Sequence, residues 1–101
     1  MNKNFADKLD EGEIVSFKPR GNSMKPKINS GDLVTVSPDI SDISKGDIVF
    51  CKVKGKYYVH IVKAVSKKRF QIGNNRGRIN GWIGSSSIFG KVTKVETTKR
   101  S

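Results

Sequence analysis

Ile48-Val49-Phe50-Cys51-Lys52-Val53-Lys54-Gly55-Lys56-Tyr57-Tyr58-Val59-His60-Ile61-Val62-Lys63-Ala64-Val65 is the stretch that decides the fold. Two runs rich in β-branched and aromatic residues flank a charged, glycine-centred triplet. That is the composition of a hairpin, with strands over 48–53 and 57–65 and a turn at 54–56. Gly46-Asp47 opens the first of these strands. Working outward, residues 32–37 alternate in the period of two that marks a strand with one wet face. Residues 13–18 and 69–72 read as short strands, and 19–22, 38–45 and 66–68 as turns or loops. Residues 73–81, rich in Gly, Asn and Arg, read as a loop. Trp82-Ile83 and residues 88–95 supply the closing strand. Strand signals roughly 8–12 residues apart, punctuated by glycine, predict an all-β domain, a small, partly open barrel or sandwich rather than a βαβ unit. The domain is expected over 13–95, after a polar, flexible segment at 1–12 that is frayed or forms a short helical turn. Residues 96–101 form a polar tail.

Bulk properties narrow the function classes. The chain has 101 residues and a hydrophobic fraction of 35%, so it has room for one domain with a small core. No stretch approaches the roughly 20 apolar residues of a transmembrane helix, and the charged N-terminus lacks the apolar core of a secretion signal. A lone cysteine, Cys51, points to a reducing, cytoplasmic setting. One Cys and one His leave a structural zinc site without ligands, and no phosphate-cradling glycine motif is present, so no metal and no cofactor are expected. The net charge of +11 favours acidic partners, nucleic acid among them.

The chemistry-bearing segment precedes the hairpin: Gly21-Asn22-Ser23-Met24-Lys25-Pro26-Lys27-Ile28-Asn29-Ser30-Gly31-Asp32-Leu33-Val34-Thr35-Val36. A serine held in a turn, followed at once by a strand, is a sound way to aim a hydroxyl. That hydroxyl becomes a nucleophile only if a base takes its proton. His60 and Lys63 are the candidate bases on the second hairpin strand. Three residues apart in an extended strand, they face opposite ways, so only one can reach Ser23. Spacing alone leaves the plainer reading open, in which His60 is a half-buried strand residue and Lys63 a solvent charge.

The Ser-Met-x-Pro and Gly-Asp-x-Val-x-Val pattern of residues 23–36 resembles the nucleophile segment of the signal-peptidase and LexA-type repressor superfamily. Gly46-Asp47-Ile48-Val49-Phe50 is similar to the strand that follows it there, and Val59-His60-Ile61-Val62 to the base-bearing strand of the histidine-using, archaeal and endoplasmic-reticulum type. The resemblance covers roughly residues 13–95. It implies a soluble, minimal serine peptidase acting on a protein or peptide. Ser23 would be the nucleophile and His60 the general base. Met24 and Pro26 would lie at the substrate cleft, and the Ser23 N–H at the oxyanion. The chain departs from the pattern at both expected acids, where Asn74 and Asn80 stand as the residues available to orient His60. An amide can hydrogen-bond an imidazole but cannot neutralise an imidazolium. Gly21 replaces a hydroxyl residue that assists the oxyanion in some relatives. Neither a membrane anchor, a DNA-binding helical domain nor an Ala-Gly self-cleavage site is visible.

These departures keep a second function in view: a catalytically weak or inactive member serving as a basic module for nucleic acid or an acidic protein. Lys67, Lys68, Arg69, Arg76 and Arg78 are its candidate contacts, with Trp82, Tyr57, Tyr58 and Phe70 near enough in sequence to stack bases or, more simply, to fill the core.

Overall fold

The computed structural model describes residues 3–97. One short helix, α1 (Lys3–Asp10), precedes seven strands: β1 (Val15–Phe17), β2 (Leu33–Ser37), β3 (Ile48–Val53), β4 (Lys56–Ser66), β5 (Arg69–Gly73), β6 (Ile79–Gly84) and β7 (Ile88–Glu96). A 3-10 turn, Ser85–Ser87, links the last two. All seven strands form one antiparallel sheet in the order β1-β2-β7-β3-β4-β5-β6, with β1 and β6 at its open edges. The protein is all-β in the expected sense, a coiled sheet that does not close. Among the described residues no helix is long and apolar enough to cross a membrane.

The hairpin that decided the fold forms, with a turn one residue tighter than read, since Lys56 already belongs to β4. β3 and β4 pair from Ile48↔Ile61 to Val53↔Lys56. Lys54 and Gly55 both take positive φ (51° and 83°), the conformation a two-residue type I′ connection requires. The β4–β5 hairpin repeats the device with Lys67 and Lys68 (φ 48° and 65°).

β3 is buried on both faces, which explains why its sequence is apolar almost throughout rather than alternating. Val49, Cys51 and Val53 join Val62, Ile72, Ile83 and Ile88 in one cluster. Phe50 points the other way, into a cluster with Val34, Val36, Val59, Ile61, Met24 and Ile28. Its ring meets those of Phe17, Phe89 and Tyr57 at centroid distances of 5.4, 5.6 and 5.8 Å.

Two expectations change. Residues 3–10, expected to be frayed or a short helical turn, form a two-turn helix docked on the sheet. Ala6 and Leu9 are each only 2% exposed, and Phe5 stacks on Phe17 at 4.6 Å. The polar composition hid an apolar stripe at helical spacing, and tertiary packing supplies the stability such a short helix lacks alone. Gly90 makes the docking close. A Cβ there would lie 2.5 Å from Val36 Cγ1, 2.6 Å from the Ser37 carbonyl oxygen and 3.2 Å from Leu9 Cδ2.

The second change concerns residues 79–81, read as loop, which belong to β6 and pair with β5 (Gly73↔Ile79, Ile72↔Gly81). As an edge strand it buries only Ile83, so it carries no alternating apolar signal. Of the expected tail at 96–101, Glu96 closes β7, and 98–101 lie outside the described residues.

Candidate functional site

The connection between β1 and β2 carries Ser23. Met24 and Ile28 are buried in the Phe50 cluster and pin the connection to the core. The Ile28 N–H donates to the Met24 carbonyl at 3.0 Å, and the Lys25 N–H to the Asn22 carbonyl at 3.2 Å. The Lys25–Pro26 peptide is cis. At the far end the buried Asp32 carboxylate accepts from the Asn29 N–H at 2.8 Å, the turn-closing role its position after a glycine suggests.

A second loop holds this turn from the side. The Asn75 N–H donates to the Ser23 carbonyl at 2.9 Å, and Asn75 Nδ2 donates to the Lys25 carbonyl at 2.8 Å. Asn74 shapes that loop rather than reaching His60. Its Oδ1 accepts from the Arg76 and Arg78 N–H groups at 2.8 and 3.0 Å, and its own N–H donates to the Arg78 carbonyl. Gly73 permits the fold-back, since a Cβ there would sit 2.5 Å from the Arg78 carbonyl oxygen. Asn75 is the residue that sequence reasoning passed over. It falls in the stretch read only as a loop, and its bonds to residues some fifty positions earlier leave no local signal.

His60 lies in mid-β4, 7% exposed, with the Tyr58 ring stacked at 4.7 Å. Its Nε2 is 3.2 Å from Ser23 Oγ, and its Nδ1 is 2.7 Å from Asn80 Oδ1 on β6. An amide oxygen only accepts, so it demands the proton on Nδ1. Nε2 then keeps its lone pair toward the Ser23 hydroxyl. Burial depresses the His60 pKa below its ordinary 6.5. The positive charge of Lys63 adds to the depression, and the Asn80 hydrogen bond opposes it. Lys63 falls at a register shift between Val62 and Ala64, with its side chain against Gly73. It acts on His60 as a charge.

A cleft of about 480 Å³ opens over this group, with Ser23, Met24, His60, Asn74 and Asn80 in its lining. Pro26 is exposed and outside that lining. The five candidate cations are not brought together. Lys67, Lys68 and Arg69 stand at one end of β5, and Arg76 and Arg78 follow the other, four residues or about 13 Å along an extended strand. Of the aromatics, Tyr57 and Phe70 pack against the core, Trp82 is exposed, and Tyr58 lines the cleft beside His60. Cys51 is fully buried, and burial pushes its thiol up to about 12.

With this arrangement in view, the match to known proteins has a structural counterpart. A family model described as Peptidase S24-like matches residues 3–79, well over half of the chain, and the protein belongs to that family. The relationship read from the Ser23 and Gly46 motifs is thereby shown. The matched stretch contains Ser23, His60 and the 74–78 loop and ends one residue before Asn80. No curated protein matches the chain significantly.

Proposed function

We propose that the protein is a serine endopeptidase using a Ser23–His60 dyad, with Asn80 as the positioning residue for the base. The observation that carries this reading is the continuous chain Ser23 Oγ–His60 Nε2 (3.2 Å) and His60 Nδ1–Asn80 Oδ1 (2.7 Å). The first contact is within the looser reach typical of a site without substrate. The depressed pKa keeps His60 neutral near pH 7, the state a general base needs.

In the reaction His60 Nε2 takes the Ser23 hydroxyl proton as Oγ attacks the peptide carbonyl. The tetrahedral oxyanion forms beside the Ser23 N–H. His60 then gives its proton to the departing amine, leaving an acyl ester on Ser23. Water, deprotonated by His60, attacks that ester; the acyl–Oγ bond breaks, the carboxylic acid departs, and His60 returns the proton to Ser23 Oγ. Asn80 holds the tautomer throughout but adds no negative charge to the imidazolium, so the turnover is slow for a serine peptidase. Met24, at the cleft floor, meets the apolar part of the substrate. The lone thiol fits a cytoplasmic setting for this activity.

A serine-reactive acylating probe tests the reading. Wild type should form a covalent adduct at Ser23, and Ser23→Ala and His60→Ala should each abolish it. A folded wild-type protein that never labels would sink the dyad.

A further inference from the structure

Resting on the cleft assigned above, we propose that it selects peptides carrying Asp or Glu side chains beside the bond at Ser23. The charged residues lining it are Arg20, Lys56 and Arg78, all cationic. An adjoining hollow of about 220 Å³ shares Lys56, Tyr58, Arg78 and Asn80 with it and adds Lys54. Neither lining contains a carboxylate.

The bias is written into the chain. All nine acidic residues lie outside the segments that build the cleft: none occurs between Glu13 and Asp32, and none between Asp47 and Glu96. The acids that do occur are spent elsewhere. Asp47 pairs with Lys91 at 3.3 Å, Asp39 accepts from Ser41, and Asp32 closes its turn. Arg20, Lys54, Lys56 and Arg78 are all solvent-exposed. A carboxylate entering the cleft would thus meet several cations that no acid neutralises, with no like charge in the lining to repel it.

A peptide suits these cations better than a nucleic acid does. Arg20, Lys56 and Arg78 line the same cleft as Ser23 and His60. Lys67, Lys68 and Arg69, which a phosphate backbone would need as a continuation, stand at the far end of β5. Each exposed pair counts for little alone, so discrimination comes from several acting together.

Binding is measured on the Ser23→Ala protein, which cannot consume its ligand, with fluorescein-labelled peptides. One is rich in Asp and Glu, and the other is its Asn/Gln isostere. The acidic peptide should bind about tenfold tighter in low salt, with the advantage shrinking as NaCl is raised. The double charge reversal Lys56→Glu/Arg78→Glu should remove the preference, and Lys67→Glu/Lys68→Glu should keep it. Equal affinity for the two peptides overturns the proposal, as does an equal loss in both double variants. So does displacement of the acidic peptide by a lower concentration of a single-stranded oligonucleotide of equal charge, which would assign the cations to phosphate. Labelling of Ser23 by the acylating probe is read separately. Its absence removes the hydrolysis but not the selectivity, and its presence does not rescue a cleft indifferent to carboxylates.

Discussion

At the scale of single residues, His60 concentrates most of what can be measured. Its folded pKa lies below 6.5, so acylation of Ser23 should persist to mildly acidic pH and fall only as the imidazole protonates below its usual range. The same depression has a stability sign. The unfolded chain takes up the proton more readily than the folded one, so stability present above pH 6.5 is lost as pH falls through 6.5 toward the folded value. Asn80→Asp places a carboxylate 2.7 Å from Nδ1 in the amide's place. It should raise the His60 pKa, shift the acid limb of the pH–rate profile upward, and accelerate acylation by roughly 10²-fold, less than the full 10⁴ of a triad because the native amide already holds the right tautomer. An unchanged rate and profile in the folded variant would show that Asn80 does not act through the base. Motif order singled out Ser23, His60 and the two asparagines as candidates. Which asparagine reaches the imidazole was not. Asn74 and Asn80 differ in role only because Gly73 lets the loop fold back and consume Asn74 in backbone bonds.

At the scale of elements, the legible strands were those with strong internal signals. β3 announced itself by a two-faced apolar run and β2 by alternation. β6 and α1 were obscure because their stability comes from partners: β5 for the one, the Phe50 cluster for the other. The hairpin turns carry a correctable cost. Lys67 and Lys68 occupy left-handed conformations that ordinary side chains disfavour by about 1–2 kcal/mol each, and Asn-Gly is the pair that suits them. Replacing them by Lys67→Asn and Lys68→Gly should raise the unfolding free energy by about 1 kcal/mol, read as a higher urea midpoint with an unchanged slope. A lower midpoint would refute the turn assignment. Leu9→Ala should cost about 2–4 kcal/mol by emptying the site where α1 meets Gly90, measured in the same way.

At the scale of the whole molecule, two apolar clusters lie on opposite faces of β3, so opening either one exposes the other's wall. Cys51 sits in that shared strand, fully buried with a thiol pushed up to about 12. It should resist thiol-reactive reagents in the native protein and react only on global unfolding, so its labelling rate tracks the unfolding equilibrium. Rapid labelling under native conditions would mean that β3 opens locally. Charge also has a molecular-scale pattern that composition hid. The net +11 suggested a general affinity for polyanions, whereas three of the cations line the cleft and Lys67, Lys68 and Arg69 stand together on a separate hairpin.

The sheet order has a consequence in time. β7 is seventh along the chain but third across the sheet, wedged between β2 and β3 and hydrogen-bonded to both. A ribosome therefore releases Ser23, His60 and Asn80 before the strand that locks their two halves of the sheet together. Until residues 88–96 emerge, β2 and β3 have no strand between them, and only loop and core contacts such as that of Asn75 with Ser23 join the two halves. The single sheet that frames the Ser23–His60 contact is thus continuous only once synthesis has passed β7.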